Sequence, residues 1–196
     1  MRPFLSIAIP VYKEMPNWEF FLERCLNSIR SQSFQDFEIV QVEGGNGMAG
    51  NTNKAIKASM GQYIKILYQD DYLAHKDALK RIVDALKANP ESNWLITGCD
   101  NNEFPYYTQD IHRGNNKLGS PTVLTIKNEK PMLFDENLGW LLDCDYYRRM
   151  YDEHGAPIIV DGVEVILGIG EHQATNIMGD KIKRLEHEYM QNKYEN

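Results

Sequence analysis

The sequence has few cysteines, no long apolar run and fewer basic than acidic residues. Its 196 residues include three cysteines, Cys25, Cys99 and Cys144, an odd number with no Cys-x-x-Cys pair. That excludes a disulfide framework and a thiolate zinc site, and makes the reducing cytoplasm the expected compartment. No stretch approaches the ~18 consecutive apolar residues of a membrane span. The longest candidate, Ile158 to Gly170, is broken by Asp161 and Glu164. Arg2 is not followed by a sustained apolar run and a small-residue cleavage site, so no secretory signal is expected. With 21 Lys+Arg against 28 Asp+Glu the net charge is −7, which makes nucleic acid or anionic lipid an unlikely main partner. Internal repeats and low-complexity tracts are missing as well.

What is present is a composition of 42% apolar, 11% aromatic and 25% charged residues, enough for one globular domain spanning 1–196. Short apolar runs alternate with helical periodicity as far as Ala88, the pattern of an α/β protein with a mostly parallel central sheet flanked by helices. Phe4 to Val11, Phe37 to Val42, Tyr63 to Tyr68 and Asn93 to Cys99 read as strands. Helices are expected from Asn17, over Asn53 to Met60 and over Lys76 to Ala88, the last ended by Asn89-Pro90. Beyond Asp100 the chain turns polar as far as Leu118. A strand over Thr122 to Ile126, a helix over Leu138 to His154, one or two strands within Ile158 to Leu167 and a polar helix over Ile177 to Lys193 complete the reading.

An open parallel sheet binds ligands beyond the carboxyl ends of its strands, so the residues after Val11, Val42, Tyr68 and Cys99 should converge on one crevice. They are Tyr12-Lys13-Glu14, Glu43-Gly44-Gly45-Asn46-Gly47, Gln69-Asp70-Asp71 and Asp100-Asn101-Asn102. Two like charges at 4 Å repel by about 4 kcal/mol at an effective dielectric near 20, so clustered carboxylates call for a cation or a proton. Oxygen-only donors favour Mg2+ or Mn2+, ions that commonly bridge a carboxylate to substrate phosphates.

The order of these motifs resembles the inverting family 2 glycosyltransferases of the GT-A fold. The resemblance runs through SIAIPVYKE (Ser6 to Glu14), SIRSQSFQDFEIVQVEGG (Ser28 to Gly45), NKAIKASMGQYIKILYQDD (Asn53 to Asp71), GWLLDCDYYRRM (Gly139 to Met150) and GEHQAT (Gly170 to Thr175). It implies a GT-A, Rossmann-like domain with a nucleotide-sugar half (1–100) and an acceptor-side half (101–196). The implied activity is metal-dependent transfer of a sugar from a nucleoside-diphosphate sugar to an acceptor hydroxyl. By the same resemblance Asp71 binds Mn2+ or Mg2+ and Asp70 contacts ribose or assists the metal. Pro10, Val11, Tyr12, Glu43 and Asn53 belong to the donor pocket, and His172 approaches the diphosphate or metal. Asp143 is the implied general base, with Asp145 as rival; residues two apart on a helix point to different faces, so only one can meet the crevice. Two departures stand out. Glu43 passes straight into Gly44, where the family usually carries an Asp-Asp-Gly-Ser segment, and Thr52 replaces the Arg that typically precedes Asn53.

Plainer readings stand beside these. Asp70-Asp71 suits the N-terminal dipole end of a helix, and Asp143 suits a solvated pair with Arg148 or Arg149. His172 suits a structural histidine, and the glycines at 44, 45, 47 and 50 suit turns. A non-catalytic sugar-nucleotide or carbohydrate-binding module is the alternative function. A nucleotidyltransferase would want a glycine-rich, basic loop after the first strand, which Pro10-Val11-Tyr12-Lys13-Glu14 does not supply.

Overall fold

A computed structural model describes residues 2–171 and 173–195. Its strands are β1 (Leu5–Pro10), β2 (Phe37–Val42), β3 (Tyr63–Ile66), β4 (Tyr72–Leu73), β5 (Trp94–Cys99), β6 (Leu124–Lys127) and β7 (Ile158–Ile166). Its helices are α1 (Trp18–Arg30), α2 (Gly47–Ala58), α3 (Ala78–Ala88), α4 (Leu142–His154), the single turn α5 (Ala174–Ile177) and α6 (Asp180–Tyr194). Among the described residues no helix is long and apolar enough to cross a membrane.

All strands join one sheet in the order β2-β1-β3-β6-β5-β7-β4. The expected α/β architecture is present, but the sheet is mixed. β1 pairs in parallel with β2 and β3, and β5 with β7. β6 runs antiparallel between β3 and β5, and β4 antiparallel to β7. The polar stretch after β5 allows this, because it leads the chain back into the sheet in the reverse direction without a crossover helix. β1 and β5 are buried along their whole length, which is why each reads as an apolar run rather than an alternating one. The single strand β7 bends at Gly162, where φ is +96°. A Cβ on Gly98 would lie 2.2 Å from the Gly162 carbonyl oxygen, so glycine is required where β5 meets that bend.

The site is positioned by the first five elements. From β1 the chain crosses through α1 to β2 on one side, then returns through α2 to β3 on the other, so the sheet's switch point lies between β1 and β3. Just beyond it the two strand ends are tied together. Tyr12 N–H donates to Gln69 Oε1 at 2.6 Å, and Gln69 Nε2 donates back to the Tyr12 carbonyl at 3.0 Å. Asp70 and Asp71 follow in a tight turn closed by Asp71 N–H on the Tyr68 carbonyl at 3.0 Å. They do not begin a helix: β4 comes next, and α3 starts only at Ala78.

Candidate active site

The turn at Asp70 and Asp71 is braced from two elements. On one side Arg24 of α1 donates from Nη2 to the Asp70 carbonyl at 2.6 Å, with its guanidinium 4.5 Å from the centre of the Tyr72 ring. On the other, Gly168 N–H donates to Asp71 Oδ1 at 2.8 Å. A Cβ at position 168 would stand 2.3 Å from the Asp70 carbonyl oxygen, so only glycine lets the backbone after β7 come this close. Asp71 is 5% exposed. Burial and then the neighbouring Asp70 carboxylate raise its pKa to about 7, against the pull of the Gly168 and Thr122 bonds and the buried Lys65 ammonium. Lys65 itself, donating to the Thr122 carbonyl, is lowered by burial to about 7.

Asp143 reaches the same cleft from the first turn of α4. Its Oδ1 accepts Cys144 N–H at 2.7 Å and its Oδ2 accepts Asn116 Nδ2 at 2.9 Å. Burial raises its pKa to about 6, and those N–H dipoles oppose the rise. The start of α4 carries no side-chain cap of its own. Instead Glu186 of α6 accepts Gly139, Trp140 and Leu141 N–H at 2.9, 2.9 and 2.8 Å, filling the anion-seeking end of the helix from outside. Asp145 lies within the protein, ion-paired to Arg149 and Lys193 at 2.7 Å each and accepting Tyr194 Oη at 2.6 Å.

The cleft has a volume of about 310 Å3 and is lined by Asp70, Asp71, Tyr68, Asn116, Trp140 and Asp143, among others. A second hollow of about 360 Å3, at the ends of β1 and β2 against α1, is lined by Val11, Lys13, Trp18, Gln41 and Glu43. The expected single crevice is therefore two hollows. Asp100 to Asn102 line neither; Asp100 Oδ1 instead accepts Leu167 N–H at 3.1 Å and helps hold the strap that ends at Gly168.

No family model matches the chain. The uncharacterized glycosyltransferase EpsJ of Bacillus subtilis is 29% identical over 126 residues, covering 50% of this chain and 34% of that protein. The glycosyltransferase AglE of Haloferax volcanii is 28% identical over 110 residues, covering 49% and 34%. The chain thus spans about a third of the length of these curated relatives. Among solved structures, S. aureus TarS 1–349 superposes with a TM-score of 0.63 at 17% identity, covering 83% of this chain and 60% of that one. The mannosyltransferase PcManGT of Pyrobaculum calidifontis, in complex with GDP-Man and Mn2+, gives 0.65 at 16% identity, covering 88% and 59%. The fold is that of the GT-A glycosyltransferases.

Within this GT-A frame the expected site residues divide. Asp70, Asp71 and Asp143 share the first cleft; Val11 and Glu43 share the second hollow, where Glu43 pairs with Lys13 at 2.6 Å on the surface. Tyr12 sits at the strand end and is 52% exposed, while Pro10 is buried as the last residue of β1 and lines neither hollow. Asn53 is not brought to either surface. Its amide donates to the Phe134 carbonyl and to Glu136 Oε1, both at 3.0 Å, and its Oδ1 accepts Phe134 N–H at 2.8 Å, so it clamps the 134–136 segment onto α2. Thr52 Oγ1 instead lies 3.4 Å from the hydroxyl of Tyr68 in the cleft. His172 lies outside the described residues. Among the described residues no group of three His, Cys, Asp or Glu side chains gathers around one point. The acidic donors Asp70 and Asp71 suit a hard divalent ion that takes its other oxygens from a ligand.

Asn116 and Glu186 were not singled out from the sequence. Asn116 sits in an Asn-Lys-Leu-Gly turn signal, but its bond to a residue 27 positions on has no local signature. Glu186 reads as one more charge on a polar helix.

Proposed function

We propose that this chain is the donor-binding and catalytic domain of a metal-assisted, inverting glycosyltransferase of the family 2 type, taking a sugar from a nucleoside-diphosphate sugar to an acceptor hydroxyl. The observation that carries this reading is that Asp71, from the end of β3, and Asp143, from the start of α4, line one cleft with pKa values raised by burial. Structural neighbours bound to UDP-GlcNAc and to GDP-Man support a nucleotide-sugar donor.

Asp71, with Asp70, would hold Mn2+ or Mg2+ against the diphosphate. When bound, the ion supplies Lewis-acid stabilisation of the charge that builds on the leaving group. The raised affinity of Asp71 for a proton fits that role, since a carboxylate buried beside another is the one a cation stabilises most. Val11, Trp18 and Glu43 would meet the nucleoside in the second hollow. Asp143 takes the proton of the acceptor hydroxyl as its oxygen attacks the anomeric carbon from the face opposite the departing nucleoside diphosphate, so configuration inverts. With its pKa near 6, Asp143 is mostly ionised at neutral pH yet more basic than an ordinary carboxylate. Trp140 offers a partly buried indole at the acceptor side of the cleft.

The experiment is release of nucleoside diphosphate from UDP-GlcNAc and GDP-mannose, with and without Mn2+ and with a panel of acceptors. Mn2+-dependent turnover that rises with pH through about 6 is expected. Binding of either donor without turnover at any pH would favour a non-catalytic sugar-nucleotide module.

A further inference from the structure

We infer that Asn116, on the loop between β5 and β6, is a positioning residue for the Asp143 carboxylate, coupling that loop to the acceptor side of the cleft. The inference deepens the function proposed above and rests on it where catalysis is concerned.

Asn116 uses both ends of its amide. Its Oδ1 accepts the backbone N–H of Leu118 at 2.8 Å and of Gly119 at 3.1 Å. Its Nδ2 donates to the Gly119 carbonyl at 2.9 Å and to Asp143 Oδ2 at 2.9 Å. The first three bonds lock the side chain onto a turn, and that turn is seated on α4 by Tyr147, whose hydroxyl donates to the Ser120 carbonyl at 3.1 Å. An amide braced in this way presents one N–H to Asp143 without rotamer freedom to lose. Asp143 Oδ1 is fixed by Cys144 N–H, so a donor at each oxygen defines the carboxylate plane and leaves each oxygen further lone-pair capacity for an incoming hydroxyl.

The chemistry of this donor matters as much as its place. Among the described residues, the titratable groups around Asp143 are Cys144 and Tyr147 of its own helix and Tyr68 beyond β3, with Asp70 and Asp71 in the same cleft. These groups are acids, and none of them supplies a positive charge. An amide N–H steadies the ionised carboxylate without pairing it, whereas Lys or Arg at position 116 would hold it as tightly as Arg149 and Lys193 hold Asp145.

The test is a pH titration of the side-chain carboxyl carbons by 13C NMR on the full chain, the Asp143 signal being assigned by its loss in Asp143→Asn. Asn116→Asp keeps an oxygen for the Leu118 and Gly119 N–H groups but replaces the donor with a second carboxylate. The Asp143 midpoint is expected near 6 in the parent chain and at least about one pH unit higher in Asn116→Asp. If Asn116→Asp does not fold, Asn116→Ser, which loses the donor's reach, should move the midpoint in the same direction. A midpoint unchanged in a folded variant overturns the inference, because a purely structural loop residue would alter stability and leave the titration alone. Failure of the enzymatic reading shows differently, as full Mn2+-dependent turnover in Asp143→Asn.

Discussion

Asp143 and Asp145 stand two residues apart on the first turn of α4, and the protein treats them in opposite ways. Asp145 turns inward and meets Arg149, Lys193 and the Tyr194 hydroxyl, a set that neutralises its charge and ties α4 to α6. Asp143 turns to the cleft and meets two N–H dipoles, so its charge is steadied and not cancelled. A carboxylate paired with cations is a fastener. One held by dipoles in a buried wall keeps an affinity for protons and cations that a substrate can use, and Asp71 shares this second condition.

The sharpest way to break that contrast is to neutralise each acid in turn. Asp143→Asn should lower kcat by roughly 10²–10⁴-fold, the usual contribution of a general base, while Asp145→Asn leaves kcat within several-fold. Steady-state kinetics showing the reverse would exchange their roles. Asp71→Ala should cost roughly 10²–10³-fold in Mn2+-dependent turnover, about 3–4 kcal/mol, and added Mn2+ should not restore it.

Stability should follow the opposite ranking. Asp145→Asn leaves two cations facing an amide, although Lys193 retains Asp135 at 2.7 Å. A loss of about 2–3 kcal/mol is expected, read as a fall of about 5–10 °C in Tm by calorimetry. Asp71 gives an effect of the other sign. Its folded pKa, about 7, lies above the ordinary 3.8, so between those values the folded state holds a proton that the unfolded state has released. Stability without a divalent ion therefore falls as pH rises through that window and stays low above it. Asp71→Asn should flatten this slope and raise Tm at pH 8, a gain that thermal melts in chelator would register; a lower Tm there would contradict the assigned burial.

Much of this arrangement was legible in the residues. The apolar runs Leu5–Pro10 and Trp94–Cys99 announced buried strands, and the strand-end rule located Asp70 and Asp71 without a structure. The direction of β6 was not legible, because an antiparallel return is set by the path of a polar loop and not by the strand's own composition. The start of α2 was missed for a related reason. Gly47 at φ +68° opens a helix inside a segment whose glycines read as a turn. Asn53 matched a motif, yet its clamp on Phe134, 81 residues away, is a tertiary fact. Long-range partners likewise hid the service of Asn116 and Glu186, whereas the choice between Asp143 and Asp145 could be framed from helical geometry alone.

The most direct test is a crystal structure with Mn2+ and a nucleotide sugar such as UDP-GlcNAc or GDP-mannose. A manganese anomalous peak at about 2.0–2.3 Å from an Asp71 carboxylate oxygen is predicted, with the diphosphate completing its ligands and Asp143 beyond the anomeric carbon on the side away from the diphosphate. Manganese bound elsewhere, or a sugar whose anomeric carbon shows its leaving-group face to Asp143, would contradict the division of labour between the two acids.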